Sequence, residues 1–366
     1  MQTSPSPKPV LSRLSICFAL ALGTGDAEPS KDTMVFHEAG KKRVHVEGCR
    51  RLTDDPAERA KLVRMTLAEA EAKGFPPCSR CPGSTTAGKV DPDTKTVEAG
   101  AAPRPDAGEF GKRRFKEMDH AHRWKEAFFD AGTGEAGVIG WKDGVWKEKW
   151  FLDGEIAAVQ NEKHGMHLEA GPRWKDEAHH TVLWTKREFS GDLKIEYDFT
   201  RTDMNDTGSV ILIYIQATGD GSAEFPEDIA KWNGYRSVPG MGKYFSNMHL
   251  YHISYCTGSP FIEGNGADYV RARRYMPDGD TLRGTELTPE YADTGMFKPG
   301  VTYRITILKE AREIAMQVKG PDETKVFWFR NDKLPEVTHG RIGLRHMYTR
   351  SARYKDFRVS EAVSAD

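Results

Sequence analysis

Beyond about residue 113 the chain is written in short segments of alternating apolar and polar residues separated by Gly, Asp, Asn and Pro. That is the pattern of a β-sandwich made of many strands. In 192–200, Leu193, Ile195, Tyr197 and Phe199 fall on one side of a period-two strand, and Lys194, Glu196 and Asp198 on the other. One face is therefore expected to be buried and one wet. Residues 210–215 are continuously apolar and predict a central strand covered on both faces. A hairpin is expected from 303–308 through a turn at 310–312 into 314–318, with further strands at 326–329, 341–345 and 354–359. No strong helical period interrupts this region, which excludes an α/β fold.

One strand departs from the half-buried pattern. In His249-Leu250-Tyr251-His252-Ile253-Ser254-Tyr255, the residues Tyr251, Ile253 and Tyr255 share one face and Leu250, His252 and Ser254 the other. Ionisable or hydroxyl-bearing side chains stand on both faces, so either face could line a cleft.

The first third reads differently. Lys8 and Arg13 precede an apolar run at 14–22, and small residues follow at Gly25-Asp26-Ala27, so 1–27 is expected to be a signal peptide and the protein secreted or periplasmic. An uncleaved anchor or a misassigned start is the alternative. The run is too short to span a bilayer, and no later stretch reaches that length.

Residues 28–82 form a small cysteine module. His45 stands four residues before Cys49, and Cys78-Ser79-Arg80-Cys81 is a Cys-x-x-Cys knuckle, which together offer four ligands to one tetrahedral zinc ion. Between the pairs, Thr66-x-x-Glu69 predicts a capping box opening a helix at 67–73, which Gly74 closes. His37 could stand in for His45, and a Cys78–Cys81 disulfide is the alternative in an oxidising compartment. Residues 83–112 are rich in Gly, Ala, Pro and Thr and are expected to be a flexible linker. Lys112, Arg113, Arg114 and Lys116 would be its solvated boundary. Residues 113–366 are the sandwich.

A net charge of -1 over 366 residues gives no global pull toward nucleic acid or an anionic membrane, so any recognition of an anion must be local. Aromatic residues make up 10%, with 8 Trp and 12 Tyr, which suits a β-rich core or a surface that stacks on something flat.

The arrangement from Val44 to Cys81, His-x-x-x-Cys, helix and Gly-Phe-Pro-Pro-Cys-x-x-Cys, resembles the metal-binding Ada-like domain. The resemblance implies zinc bound by His45, Cys49, Cys78 and Cys81. The four-cysteine domain also takes methyl groups from DNA phosphotriesters. With His45 in the first ligand place of an exported chain, only zinc is carried over and no nucleic-acid partner is expected. In the larger region, the order of strands resembles the concanavalin A-like jelly-roll superfamily. The words Trp150-Phe151-Leu152-Asp153-Gly154, Gly165-Met166-His167-Leu168, Val182-Leu183-Trp184, Tyr251-His252-Ile253-Ser254-Tyr255 and Gly340-Arg341-Ile342-Gly343-Leu344-Arg345 resemble the secreted family DUF1961, over about Trp124 to Ser360. This implies a galectin-like sandwich associated with polysaccharide use, with a sugar site on the concave face. It asserts no reaction.

Two constellations invite chemistry. Glu196-Tyr197-Asp198 is similar to the Glu-x-Asp-x-Glu strand of laminarinase-type hydrolases but has Thr200 at the fifth position. A retaining glycosidase needs two carboxyl groups about 5 Å apart, so surface charge is the better account of Glu196 and Asp198. The second constellation is Tyr251, His252 and Tyr255 with Arg273 as catalytic candidates, and Arg271, Arg274, Trp232, Arg236 and His249 as substrate-binding candidates. Arginine offers a donor fork to a carboxylate, and His or Tyr can move a proton, which is the equipment of β-elimination. Core packing of the tyrosines and solvation of the arginines is the alternative. His179 and His180 near Trp184 hint at a metal, and Cys256 reads as a buried free thiol. The expectation is an exported protein acting on an acidic or complex polysaccharide, by elimination rather than hydrolysis. A non-catalytic carbohydrate-binding protein is the alternative, and an interaction protein docked through its zinc module is the third.

Overall fold

The computed structural model describes residues 31–37, 43–47, 59–75, 107–134, 144–204, 210–256, 268–277 and 282–363. The chain divides into two compact units, Met1–Val97 and Glu98–Asp366.

In the first unit, β1 (Met34–His37), β2 (Val44–Val46) and β3 (Val63–Thr66) form an antiparallel sheet in the order β2-β1-β3. The helix α1 (Leu67–Ala72) starts at the expected capping box: Glu69 N donates to Thr66 Oγ1 at 3.2 Å and Thr66 N to Glu69 Oε2 at 2.8 Å. It ends where Gly74 turns left-handed at φ +76°, so that Gly74 N reaches Glu71 O and Phe75 N reaches Ala70 O. Val35, Val44, Met65, Leu67 and Ala70 are the small core. His45 lies in β2, while Cys49, Cys78 and Cys81 lie outside the described residues. His37 and His45 occupy different faces of this sheet. In the register His45 sits opposite Phe36 and His37 opposite Val44, so the two imidazoles project from opposite faces. His37 is buried and stacks on Phe75 with ring centroids 4.0 Å apart.

The second unit begins with a helix that the linker reading did not contain. α2 (Ala107–Ala121) starts inside the stretch expected to be a tether. Phe115 and Met118, with Phe110 beside them, supply one apolar stripe, and Leu308, Ala315, Val326 and Trp328 of the sandwich cover it. A composition poor in large apolar residues concealed this amphipathic helix, and residues 83–106 lie outside the described residues.

The strands follow in chain order: β4 (Arg123–Asp130), β5 (Trp150–Asp153), β6 (Ala158–Glu162), β7 (Gly165–Glu169), β8 (Thr181–Thr185), β9 (Phe189–Ser190), β10 (Leu193–Arg201) and β11 (Ile211–Gly219). Then come β12 (Met248–Cys256), β13 (Tyr269–Tyr275), β14 (Glu286–Ala292), β15 (Thr302–Glu310), β16 (Glu313–Lys319), β17 (Thr324–Arg330), β18 (His339–His346) and β19 (Ser351–Val363). Among the described residues they make two antiparallel layers. One has the order β5-β8-β18-β11-β12-β13-β14 and the other β17-β16-β15-β10-β19-β7-β6, with β4 also on β19 and β9 on β18. The layers touch along their edges through the pair Thr288 and Arg330. The expected hairpin is present as β15 and β16, paired from Arg304 with Lys319 to Glu310 with Glu313.

The core fills the space between the layers. Leu193, Ile195, Tyr197 and Phe199 of β10 face Ile211, Ile213 and Ile215 of β11 and Tyr251, Ile253 and Tyr255 of β12 within one apolar cluster. Glu196 and Asp198 point the other way and pair with Arg304, at 3.5 Å and 3.3 Å. β11 is buried along its whole length, because it is central in its sheet and its second face lies under residues 220–247. Those residues carry Phe225, Ile229, Trp232, Tyr244 and Phe245 onto Val182, Trp184, Leu212, Tyr214, Leu250 and Tyr275. The fold is mainly β, a jelly-roll-like sandwich of two sheets. Among the described residues no helix is long and apolar enough to cross a membrane.

Docking of α2 carries a measurable share of the stability. Met118→Ala, at a fully buried position, is expected to cost about 2–3 kcal/mol, read as a lower midpoint in denaturant unfolding followed by tryptophan fluorescence. An unchanged midpoint would mean that the helix is not part of the folded sandwich.

Candidate functional site

The outer face of the first sheet carries the candidate site, and the strand register builds it. One row crosses all seven strands: Phe151, Trp184, Gly343, Tyr214, His252, Arg273 and Glu286 are successive partners. A second row runs Asp153, Val182, Arg345, Leu212, Ser254 and Arg271. Residues directly opposite in antiparallel strands share a face, so these side chains meet. Gly343 is glycine for a local reason, since a Cβ there would stand 2.5 Å from the Trp184 ring. Its absence lets Trp184 lie flat against Tyr214, with centroids 5.5 Å apart and planes 14° apart, and Tyr244 completes the stack from above.

Asp153 ties the covering segment to this face. Its Oδ2 accepts from Trp184 Nε1 at 2.7 Å, Arg236 Nε at 2.6 Å and the Tyr244 hydroxyl at 2.9 Å, and its Oδ1 accepts from Asn233 Nδ2 at 2.6 Å. Both members of the Asp153–Arg236 pair are fully buried. Arg236 also donates to Ile229 O and Trp232 O and lies 4.1 Å above the Trp232 ring. The 3₁₀ stretch Ile229–Arg236 begins where Asp228 accepts from Ala230 N at 3.1 Å, and α3 (Met241–Phe245) brings Tyr244 down.

Next to this hub lies a group of buried polar side chains whose hydrogen-bonding capacity the protein leaves unfilled. His252 is 4% exposed and neither ring nitrogen has a partner, nor has Nε2 of His180; the Tyr214 hydroxyl lies within interaction range of the Tyr275 hydroxyl and the Arg345 guanidinium, but no hydrogen bond of good geometry satisfies these hydroxyls or Nε and Nη1 of Arg345. The rings of Tyr214 and Tyr275 stand edge-on to His252, with centroids at 6.0 Å and 5.2 Å. Burial, reinforced by the charges of Arg273, Arg271 and Arg345, holds the His252 imidazole neutral, well below its ordinary range. Burial raises both tyrosines, Tyr275 most, so they remain hydroxyl donors. His180 is pushed down to about 3 by burial and by Arg345. A neutral ring suits the bond that Arg345 Nη2 makes to its Nδ1 at 2.9 Å. Exposure rises toward the sheet edge, from His252 through Arg273, 11% exposed, to Glu286, 45% exposed.

The sequence candidates therefore divide between two faces. His252, Arg271 and Arg273 converge on the outer face. Arg273 donates to Leu282 O at 2.7 Å, Thr285 Oγ1 at 3.2 Å and Glu286 Oε1 at 2.6 Å. Arg271 lies over the Tyr269 ring and pairs at 3.7 Å with Glu290. Tyr251 and Tyr255 face the inter-sheet core instead, where Asn331 Nδ2 lies 3.1 Å from the Tyr251 hydroxyl and Tyr197 lies 3.3 Å from that of Tyr255. Arg274 shares the Tyr251 side, bonded to Pro335 O, Tyr275 O and His249 Nδ1. A period of two makes this separation unavoidable: neighbours in a strand cannot serve one cleft. Trp232 and Arg236 are not presented by an open loop, because the Asp153 hub draws them inward. His179 and His180 do not meet at a metal, since His179 sits 3.6 Å from Asp176 and His180 engages Arg345. Among the described residues no three metal-ligating side chains cluster.

Tyr214, Tyr275, Arg345 and Asp153 escaped the sequence reading. Their signal was present as alternation in Arg341-Ile342-Gly343-Leu344-Arg345, which sets two arginines and a glycine on one face. Tyr214 was hidden in an apolar run.

Residues 145–359 match the family DUF1961, described as a domain of unknown function, and the chain belongs to this family. Among solved structures it is similar to a protein of unknown function with a galectin-like fold from Bacillus subtilis, at 19% identity, covering 66% of this chain and 100% of that one, with a TM-score of 0.47. It is similar to the carbohydrate binding module CBM66 from Bacillus subtilis, at 12% identity, 58% and 96% coverage and a TM-score of 0.35. The lectin I-B4 from Griffonia simplicifolia matches at 10% identity, 64% and 100% coverage and a TM-score of 0.41. No curated protein matches the chain.

Substitution of the hub separates its role from that of ordinary packing. Asp153→Asn strands the buried Arg236 and is expected to cost about 3–5 kcal/mol. Amide exchange should accelerate selectively in 229–245, and unchanged exchange there would show that Asp153 does not hold the cover.

Proposed function

We propose that the sandwich is a lectin-like, non-catalytic domain that binds a saccharide on the outer face of the β5-to-β14 sheet. The observation that carries this reading is the gathering of His252, Tyr214, Tyr275 and Arg345, each more than nine-tenths buried and each with unfilled hydrogen-bonding positions. Buried polar groups are nearly always partnered, so several unfilled ones on one face are complementary to a ligand dense in hydroxyls. Hydroxyl donors and a neutral imidazole offering one donor and one acceptor match the hydroxyls of a sugar ring. Export belongs to the same proposal and rests on the apolar run at 14–22.

Elimination from a uronate is the second reading, favoured by the neutral His252 between Tyr275 and Arg273. In that reaction His252 would be the base, since Tyr251 and Tyr255 lie in the core. Its basicity argues for binding instead. A base whose conjugate acid lies well below neutrality provides little driving force for removing a carbon-bound proton.

For the first unit we propose a structural zinc ion on His45, Cys49, Cys78 and Cys81, supported by the spacing of the four residues.

Two measurements follow. Calorimetry of the full chain against neutral and acidic oligosaccharides should find binding that His252→Ala and Tyr275→Phe each weaken by about tenfold, with no ultraviolet-absorbing unsaturated product. Accumulating product would replace binding by elimination, and the absence of any glycan ligand would favour the interaction-protein alternative. Metal analysis of the full chain should give zinc that is lost in Cys78→Ser; retained metal would refute the ligand set.

A further inference from the structure

The charge balance of the outer-face cluster points to the class of saccharide. Four other buried arginines of the sandwich meet carboxylates: Arg236 meets Asp153, Arg201 and Arg350 both meet Asp203, and Arg341 meets Asp228 and Glu188. Arg274 meets none, yet each of its three guanidinium nitrogens has a partner in the protein. Arg345 is fully buried and differs from all of them. Its Nη2 donates to Pro239 O at 2.8 Å and to His180 Nδ1 at 2.9 Å, and its guanidinium lies 4.4 Å above the Tyr244 ring. Its Nε and Nη1 have no hydrogen bond of good geometry, and among the described residues no carboxylate forms an ion pair with it. The hub acid Asp153 acts on Arg345 only through space, because its two oxygens already accept from four other donors.

A guanidinium stays charged at any relevant pH, and an unpaired charge out of water is costly. Tyr214 and Tyr275 are hydroxyl donors, Arg271 and Arg273 add positive charge toward the rim, and the acids Glu286 and Glu290 stand outside them at the exposed edge. An anionic oxygen group fits such a set, and a neutral hydroxyl would leave the charge uncompensated.

We propose that Arg345 is the anion receptor of the outer-face site, taking the carboxylate or sulfate of an acidic sugar, with the Tyr214 and Tyr275 hydroxyls as further donors. This rests on the saccharide reading and names its substrate class. His252 then faces the neutral hydroxyls of the same residue, one ring nitrogen donating and the other accepting.

The test compares glucuronate and galacturonate oligosaccharides with their carboxyl-reduced counterparts on the full chain, with sodium sulfate as a third probe at matched ionic strength. The expected result is a uronate that binds at least about thirtyfold tighter than its reduced form, a preference abolished in Arg345→Met. Tyr214→Phe, which removes a hydroxyl and keeps the ring, should shrink the preference by about tenfold. If Arg345→Met does not fold, Tyr214→Phe decides the matter. Equal binding of acidic and reduced sugars by the native protein overturns the anion receptor and leaves the saccharide reading standing. If no glycan binds but sulfate gives a saturable thermal shift that Arg345→Met lacks, the saccharide reading falls and the receptor stands. No response to any probe overturns both.

Discussion

A buried ion pair organises this molecule. Asp153 and Arg236 lie out of contact with water, and desolvating two charges is repaid only when geometry is good and the remaining lone pairs and protons are used. Both conditions hold: four donors surround the carboxylate, and the guanidinium also reaches two carbonyls and a tryptophan ring. The pair joins the edge strand β5 to the 3₁₀ stretch above the sheet. It therefore fixes where the covering segment sits, which apolar side chains it can seal, and where the seal ends.

The polar cluster lies beneath the same cover, with Arg345 bonded to Pro239 O and Tyr275 edge-on to Phe245. Trp184 and Tyr214 stack with Tyr244 of the cover, and His252, Tyr275 and Arg345 lie beside the stack with hydrogen-bonding positions unused. Burial keeps the histidine neutral and the tyrosines protonated. The same desolvation makes them good recognition groups and poor proton carriers, because it holds both far from a titration near neutrality. One physical cause thus favours binding over catalysis.

Much of the fold was legible in the sequence because it depends on local periodicity. The alternation in β10, the β15–β16 hairpin and the Thr66–Glu69 capping box appeared where expected, and continuous apolarity at 210–215 marked β11 as covered twice. The two faces of β12 were assigned correctly, yet Tyr251 and Tyr255 were still grouped with His252 although a period of two sets them on the opposite face, in the inter-sheet core. The α2 helix was missed since its apolar stripe is short and its neighbours, Leu308 and Trp328, lie about two hundred positions away. The inward turn of Trp232 and Arg236 was missed for a related reason: a loop-like composition gives no hint that a distant aspartate will capture it.

The sequence by itself determined the class of fold, the register-imposed sides of each strand and the chemical types available on each side, because strand geometry repeats every two residues and needs no knowledge of neighbours. Which side would be core and which would hold a site was decided only in tertiary structure. His252 and Arg345 are far apart in the chain and meet through two intervening strand pairings, and their burial comes from a segment that belongs to neither strand. Desolvation is a property of the whole assembly. Whether an arginine is a solvated surface charge or a buried one lacking a carboxylate partner therefore cannot be read along the chain.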